Sequence, residues 1–229
     1  MKKNKLGFTL AEVATALGII GVIFAIVVPL INGSVEQQKS GAILGRLVEQ
    51  VVVGNQNLIQ FANARRVDSS YSDNLSTVTQ KDLGLGTSDM SILGGDFASI
   101  VPAYWGLDKE KFSSSSIIDV KGFSGSANDS DAHNKIKSGA CYKFSKHTAA
   151  ACLSKGTVSL SVEPFEPTGY KVYFDVNGLD VHPNRVGKDI FAFDILNDGH
   201  LVPAATGDAG KYAKAVLNDG FRNLGRKEN

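Results

Sequence analysis

Residues 5–33 read "KLGFTLAEVATALGIIGVIFAIVVPLING", and the architecture of the whole chain turns on this stretch. Lys2, Lys3 and Lys5 crowd the start, Gly7 follows, and an apolar run then extends from Phe8 to Ile31 with Glu12 as its single charge. About 20 apolar residues rising 1.5 Å each span a bilayer, so residues 8–31 predict a transmembrane helix. The lysines precede the run and no basic residue follows until Lys39, an asymmetry that holds the N-terminus in the cytoplasm and sends the rest outward. A secretory signal peptide would have a shorter apolar core, of about 7–15 residues, and a small-residue cleavage site. The "INGSVEQQ" that follows supplies no such site. A plain single-pass anchor matches the length but leaves Glu12 unexplained, because a carboxylate in hydrocarbon costs a few kcal/mol and marks a functional partner.

The remainder of the 229 residues suffices for one domain with its own core. Lys plus Arg number 24 and Asp plus Glu 23, and removing the leader lysines leaves a small acidic excess. That balance offers no broad electrostatic footprint for nucleic acid. The sequence contains no Gly-x-Ser-x-Gly, Walker loop, His-Glu-x-x-His or Cys-x-x-Cys, and the four histidines lack ligand spacing. Gly84-x-Gly86 has no third glycine and fails as a dinucleotide fingerprint. The chain therefore reads as a non-enzyme.

Above the membrane, Pro29 interrupts the helical hydrogen bonds and Gly33, Gly41 and Gly45 lower local helix stability. Gly41-x-x-x-Gly45 fits either flexibility or a close approach. Leu44, Leu47, Val48, Val51, Leu58, Ile59 and Ala62 then recur at helical spacing. One helix from Phe8 to about Ala64 follows, with Arg65 and Arg66 as a solvated end.

"KLGFTLAEV" resembles the processing signal of type IV prepilins and type II secretion pseudopilins: a short basic leader, Gly, Phe, Thr-Leu, one residue, then Glu. The resemblance implies that a membrane prepilin peptidase cuts after Gly7 and N-methylates Phe8. Residues 1–7 are then a leader, 8–31 the membrane and assembly helix, 32–66 its continuation, and 67–229 an extracytoplasmic domain. It implies assembly through Glu12, with Pro29 as the helix-perturbing proline. The implied partners are other pilin subunits, the peptidase, an inner-membrane assembly platform and lipid. The implied place is the bacterial inner membrane, single-pass, before assembly into a filament. Pilus, secretion pseudopilus and DNA-uptake filament share this N-terminus and stay open, as does the major or minor role. A membrane-anchored binding or adhesion protein is the alternative, and an anchored hydrolase a third.

In the domain, "GTVSLSV", "GYKVYFDV" and "DIFAFDIL" predict strands, Asp198-Gly199 a hairpin turn and "LVP" a short returning strand. Residues 113–139 are Ser-, Gly- and Asp-rich and predict an exposed loop. The expected fold is α+β: a long N-terminal helix whose upper half packs on an antiparallel sheet, as in pilins. That resemblance also implies a disulfide between Cys141 and Cys152, two buried thiols being the alternative. Asp175, Asn177, Asp180, Asn184 and Asp189 crowd "DVNGLDVHPNRVGKD" with oxygen donors. No cofactor is required; these residues fit either a Ca²⁺ site, since some pseudopilins hold calcium in a nearby loop, or a set of Asx turns.

Overall fold

The computed structural model describes residues 10–66, 71–95, 97–111, 127–146, 148–159, 161–179, 181 and 184–221. Helix α1 (Leu10–Arg65) runs for 56 residues, about 84 Å. It continues through Pro29, so the expected interruption does not end the helix. Its upper half lays Leu44, Leu47, Val51, Leu58 and Ala62 into the core, all fully buried, at the spacing the sequence predicts.

After α1 come a 3₁₀ turn (Leu75–Thr77), the short α2 (Gln80–Leu83), a second 3₁₀ turn (Ile92–Gly94) and α3 (Phe97–Trp105). Thr79 and Asp82 form a reciprocal capping box on α2. Arg66 reaches Asp82 at 3.0 Å and the Thr77 carbonyl at 2.6 Å. It is therefore a clamp joining α1 to α2, correcting the expectation of a solvated end; only Arg65 is exposed. Although burial opposes it, hydrogen bonds from Arg66 and Thr79 hold the Asp82 carboxyl below the ordinary aspartate range. Pro102 inside α3 has no N–H for the Ala98 carbonyl four residues back, and the Tyr142 hydroxyl donates to that carbonyl at 2.9 Å instead.

Six strands form one antiparallel sheet in chain order: β1 (Leu107–Lys111), β2 (Ala140–Phe144), β3 (Ala150–Lys155), β4 (Pro167–Asp175), β5 (Ile190–Leu196) and β6 (Leu201–Pro203). Strands β4, β5 and β6 match the expectation. "GTVSLSV" does not: β3 lies just before it. There the Ser159 and Ser161 hydroxyls accept from the backbone N–H groups of Ser161 and Glu163, local bonds that compete with a ladder.

Val172, Phe174, Phe191, Phe193 and Ile195 face α1 and α3, where Phe97, Trp105 and Tyr170 stack. The opposite face carries Cys152, Tyr173, Ile190 and Ala192 and is covered by two further helices, α4 (Ala127–Ser138) and α5 (Asp208–Asn218). Both faces of β5 are thus buried, where the alternation of Phe191, Phe193 and Ile195 predicts one. Helix α4 occupies part of the predicted exposed loop. Ala132 and Ile136, one turn apart, are its only strongly buried apolar anchors among the described residues, too sparse a signal to read from sequence.

Candidate functional site

Helix α1 meets two environments. From Leu10 to Val27 its mean hydropathy is 2.4 and none of it is buried within the protein, which by length and composition suffices to cross a membrane. Glu12 occupies the first turn, where the positive pole of the helix favours an anion. Thr15 returns its hydroxyl to the Ala11 carbonyl at 2.8 Å, an internal bond that suits an apolar surrounding. Gly7 and Phe8, the expected processing residues, lie outside the described residues.

The domain takes hold of α1 at Gly41. A Cβ placed there would stand 1.9 Å from the Phe221 carbonyl oxygen, and one at Gly45 would only graze the Phe221 ring at 3.4 Å. Phe221 has a left-handed backbone (φ 63°) and donates its N–H to the Val216 carbonyl at 2.8 Å, closing the end of α5. Gly41-x-x-x-Gly45 is thus a close-approach motif filled by the chain's own C-terminal turn. Its spacing was legible in the sequence; its partner, some 180 positions away, was not.

Higher up, Asn55 sits in the apolar stripe, fully buried. Its Nδ2 donates to the Gly199 carbonyl at 2.9 Å, and its Oδ1 accepts from the Trp105 indole at 2.9 Å. Gln50 donates to the Trp105 carbonyl at 2.6 Å, and Gln56 donates to the Asp198 carbonyl. This stretch of α1 thus ties α3 to the β5–β6 turn. A Cβ at the neighbouring Gly54 would lie 2.6 Å from the Trp105 ring, so a bare backbone is what lets α3 approach. A polar residue inside an apolar stripe was the signal for Asn55.

Cys141 and Cys152 form a disulfide. They are a directly paired register position of β2 and β3, so the bond staples two strands, beneath α4.

The Asp/Asn loop joins β4 to β5. Asp175 Oδ1 accepts from the Gly178 N–H at 2.9 Å and Asp189 Oδ2 from the Arg185 N–H at 3.3 Å, local side-chain-to-backbone bonds that shape the loop. Burial pushes the Asp189 carboxyl up to about 6, against the hydrogen bond from Arg185 and the charges of Lys188 and Arg185. Asn184 is fully buried and donates to the Leu179 carbonyl; its Oδ1 and that of Asn177 accept no hydrogen bond. Calcium asks for six to eight oxygens. The two described carboxylates each have one oxygen held by backbone, and the loop also holds two buried amide oxygens. Among the described residues no group of three or more His, Cys, Asp or Glu side chains is placed to hold a metal. Asp180, another expected ligand, lies outside them.

No family model, curated protein or solved structure matches the chain.

Proposed function

We propose that this chain is a pilin-like subunit, inserted by its N-terminus, cleaved after Gly7, methylated at Phe8 and polymerised through α1. The observation that carries the reading is the junction of two features. The "KLGFTLAEV" signal leads directly into an apolar helix that the chain's own domain leaves bare from Leu10 to Val27. Cleavage creates a cationic amine at Phe8 close to hydrocarbon. Glu12 of an adjacent subunit neutralises it, and pairing offsets the desolvation of both charges. The pair then fixes the register of neighbouring helices. The α+β layout, with the upper half of α1 on an antiparallel sheet and a disulfide in the C-terminal half, supports the same reading.

The test is the mass of the mature N-terminus together with Glu12→Ala. Mature chains are expected to begin with N-methyl-Phe8, and Glu12→Ala to be processed yet recovered as filament at least tenfold less. Chains that keep Lys2 and Lys3, or a Glu12→Ala variant assembling like the parent, refute the proposal.

A further inference from the structure

Residues 161–166, between β3 and β4, are tied down by hydrogen bonds and yet present apolar side chains. The carbonyls of Ser161 and Glu163 accept from Asn197 Nδ2, at 2.9 and 3.0 Å. Those of Pro164 and Glu166 accept from the backbone N–H groups of Asp198 and Asn197, and that of Val162 from Asn74 Nδ2. With the backbone so tied, Phe165 stands 78% exposed and Val162 64% exposed. Glu163 and Glu166 flank Phe165 and are exposed; neither forms an ion pair with a described residue. A loop ordered in advance around an exposed aromatic loses little entropy on docking, the condition for a recognition anchor.

A complementary surface lies along α3. Gln80, Leu85, Ser99, Ile100, Ala103 and Tyr104 line an open groove of about 460 Å³, a size that accepts a ligand-like group. Leu85 is 60% exposed at its edge. Arg65 stands on its rim: its guanidinium lies against Gly84 and 5.6 Å from the centre of the Phe61 ring, which in turn meets Tyr104 edge-on at 6.4 Å. Arg65 pairs with no carboxylate among the described residues.

We propose that the loop 161–166 of one copy inserts Phe165 into the Leu85–Tyr104 groove of a second copy, with Glu163 or Glu166 meeting Arg65. The charges match, an acid-flanked aromatic against a base-rimmed apolar groove. Loop and groove are different patches, so the contact is heterologous, and each added copy keeps one loop and one groove open. The inference rests on the filament reading and names the contact between neighbouring domains.

Both native cysteines are consumed in the disulfide, so engineered thiols are the only reactive ones. The full chain carrying Val162→Cys beside the intact Phe165 and Ser99→Cys on the groove wall, in native membranes, is treated with a short bismaleimide. A ladder extending beyond dimer is expected, along with heterodimers when the single variants are co-expressed. Arg65→Glu is expected to cut crosslinking several-fold, and Glu163→Arg with Glu166→Arg to restore it. A ladder that stops at dimer, crosslinks to a different protein, or no crosslinks each overturn the contact. If crosslinks fail in chains that still bear N-methyl-Phe8 and form filaments, the contact alone is wrong. If the leader also remains uncut, the filament reading falls with it.

Discussion

Replacing Asn55 by leucine tests whether a polar key, more than apolar fit alone, sets how α1 docks on the domain. The substitution keeps the side chain's size and adds apolar surface, so a purely hydrophobic account expects gain or neutrality. The structure argues the opposite. A leucine side chain there would leave the buried Trp105 indole N–H and the Gly199 carbonyl without the partners they have at 2.9 Å each. Each abandoned group costs about 1–3 kcal/mol, and the leucine recovers part of this by apolar transfer. The expected net loss is about 3 kcal/mol, about 6–12 °C in Tm for a domain of this size. A double-mutant cycle isolates the cause. In a Trp105→Phe background no indole N–H remains to be orphaned, so Asn55→Leu is expected to cost about 1–2 kcal/mol less there. The assay is thermal and urea unfolding of the full chain in detergent, followed by circular dichroism in all four variants. A loss below about 1 kcal/mol, or the same loss in both backgrounds, refutes the reasoning.

Three other perturbations separate close alternatives. Ala at Gly45 meets Phe221 at ordinary contact distance (3.4 Å) and is expected to raise stability by about 0.5–1 kcal/mol through helix propensity, whereas Ala at Gly41 meets a carbonyl at 1.9 Å and is expected to expel the C-terminal turn, read as faster proteolysis after Asn218. Because the folded-state pKa of Asp189 is raised from 3.8 to about 6, the folded state binds the proton more tightly. The Asp189 contribution is therefore fully present below about pH 4 and is lost as pH rises to about 6. Subtracting the unfolding profile of Asp189→Asn should isolate that slope, and a flat difference contradicts the assignment. Reducing the Cys141–Cys152 bond, whose loop separation is 11 residues, is expected to lower stability by about 3 kcal/mol in urea titrations.

Legibility followed the range of the interactions. The apolar run, the stripe from Leu44 to Ala62 and the alternation in β5 are local patterns, and each appears where the sequence puts it. Strand β3 was illegible because "AACLSK" has weak strand propensity; its pairing with both β2 and β4, and the disulfide at Cys152, decide its state. Helix α4 was illegible because its burial rests mainly on Ala132 and Ile136 under a polar composition. The Asp/Asn loop looked like a donor cluster because carboxylates that bond backbone and carboxylates that bind cations share one composition; the hydrogen bonds to Gly178 and Arg185 show the backbone use of one oxygen each of Asp175 and Asp189. In the site, Glu12 was legible from its isolation in apolar sequence, while Phe221 and the loop at Phe165 depend on contacts between distant segments.

The two halves of α1 explain why a charge is needed at all. Ten large apolar side chains between Leu10 and Val27 are exposed, while the domain meets the helix at Gly41 and above. Covering each is favourable by about 1.5–3 kcal/mol, so their sum exceeds the net stability of a typical domain, and the segment must have a cover. Lipid and neighbouring helices cover it equally well, since lipid tails are as apolar as leucine. Hydrophobicity therefore requires a cover but is indifferent between membrane and filament. Glu12 is not indifferent. Its carboxylate favours whichever surrounding supplies a desolvated cation, and the proposed processing offers one in the Phe8 amine of an adjacent subunit. Under the proposed function, a neutral residue at position 12 is expected to remove the preference for assembly while leaving membrane insertion unchanged, so the soluble, membrane and filament fractions of one Glu12→Gln culture measure the two effects separately.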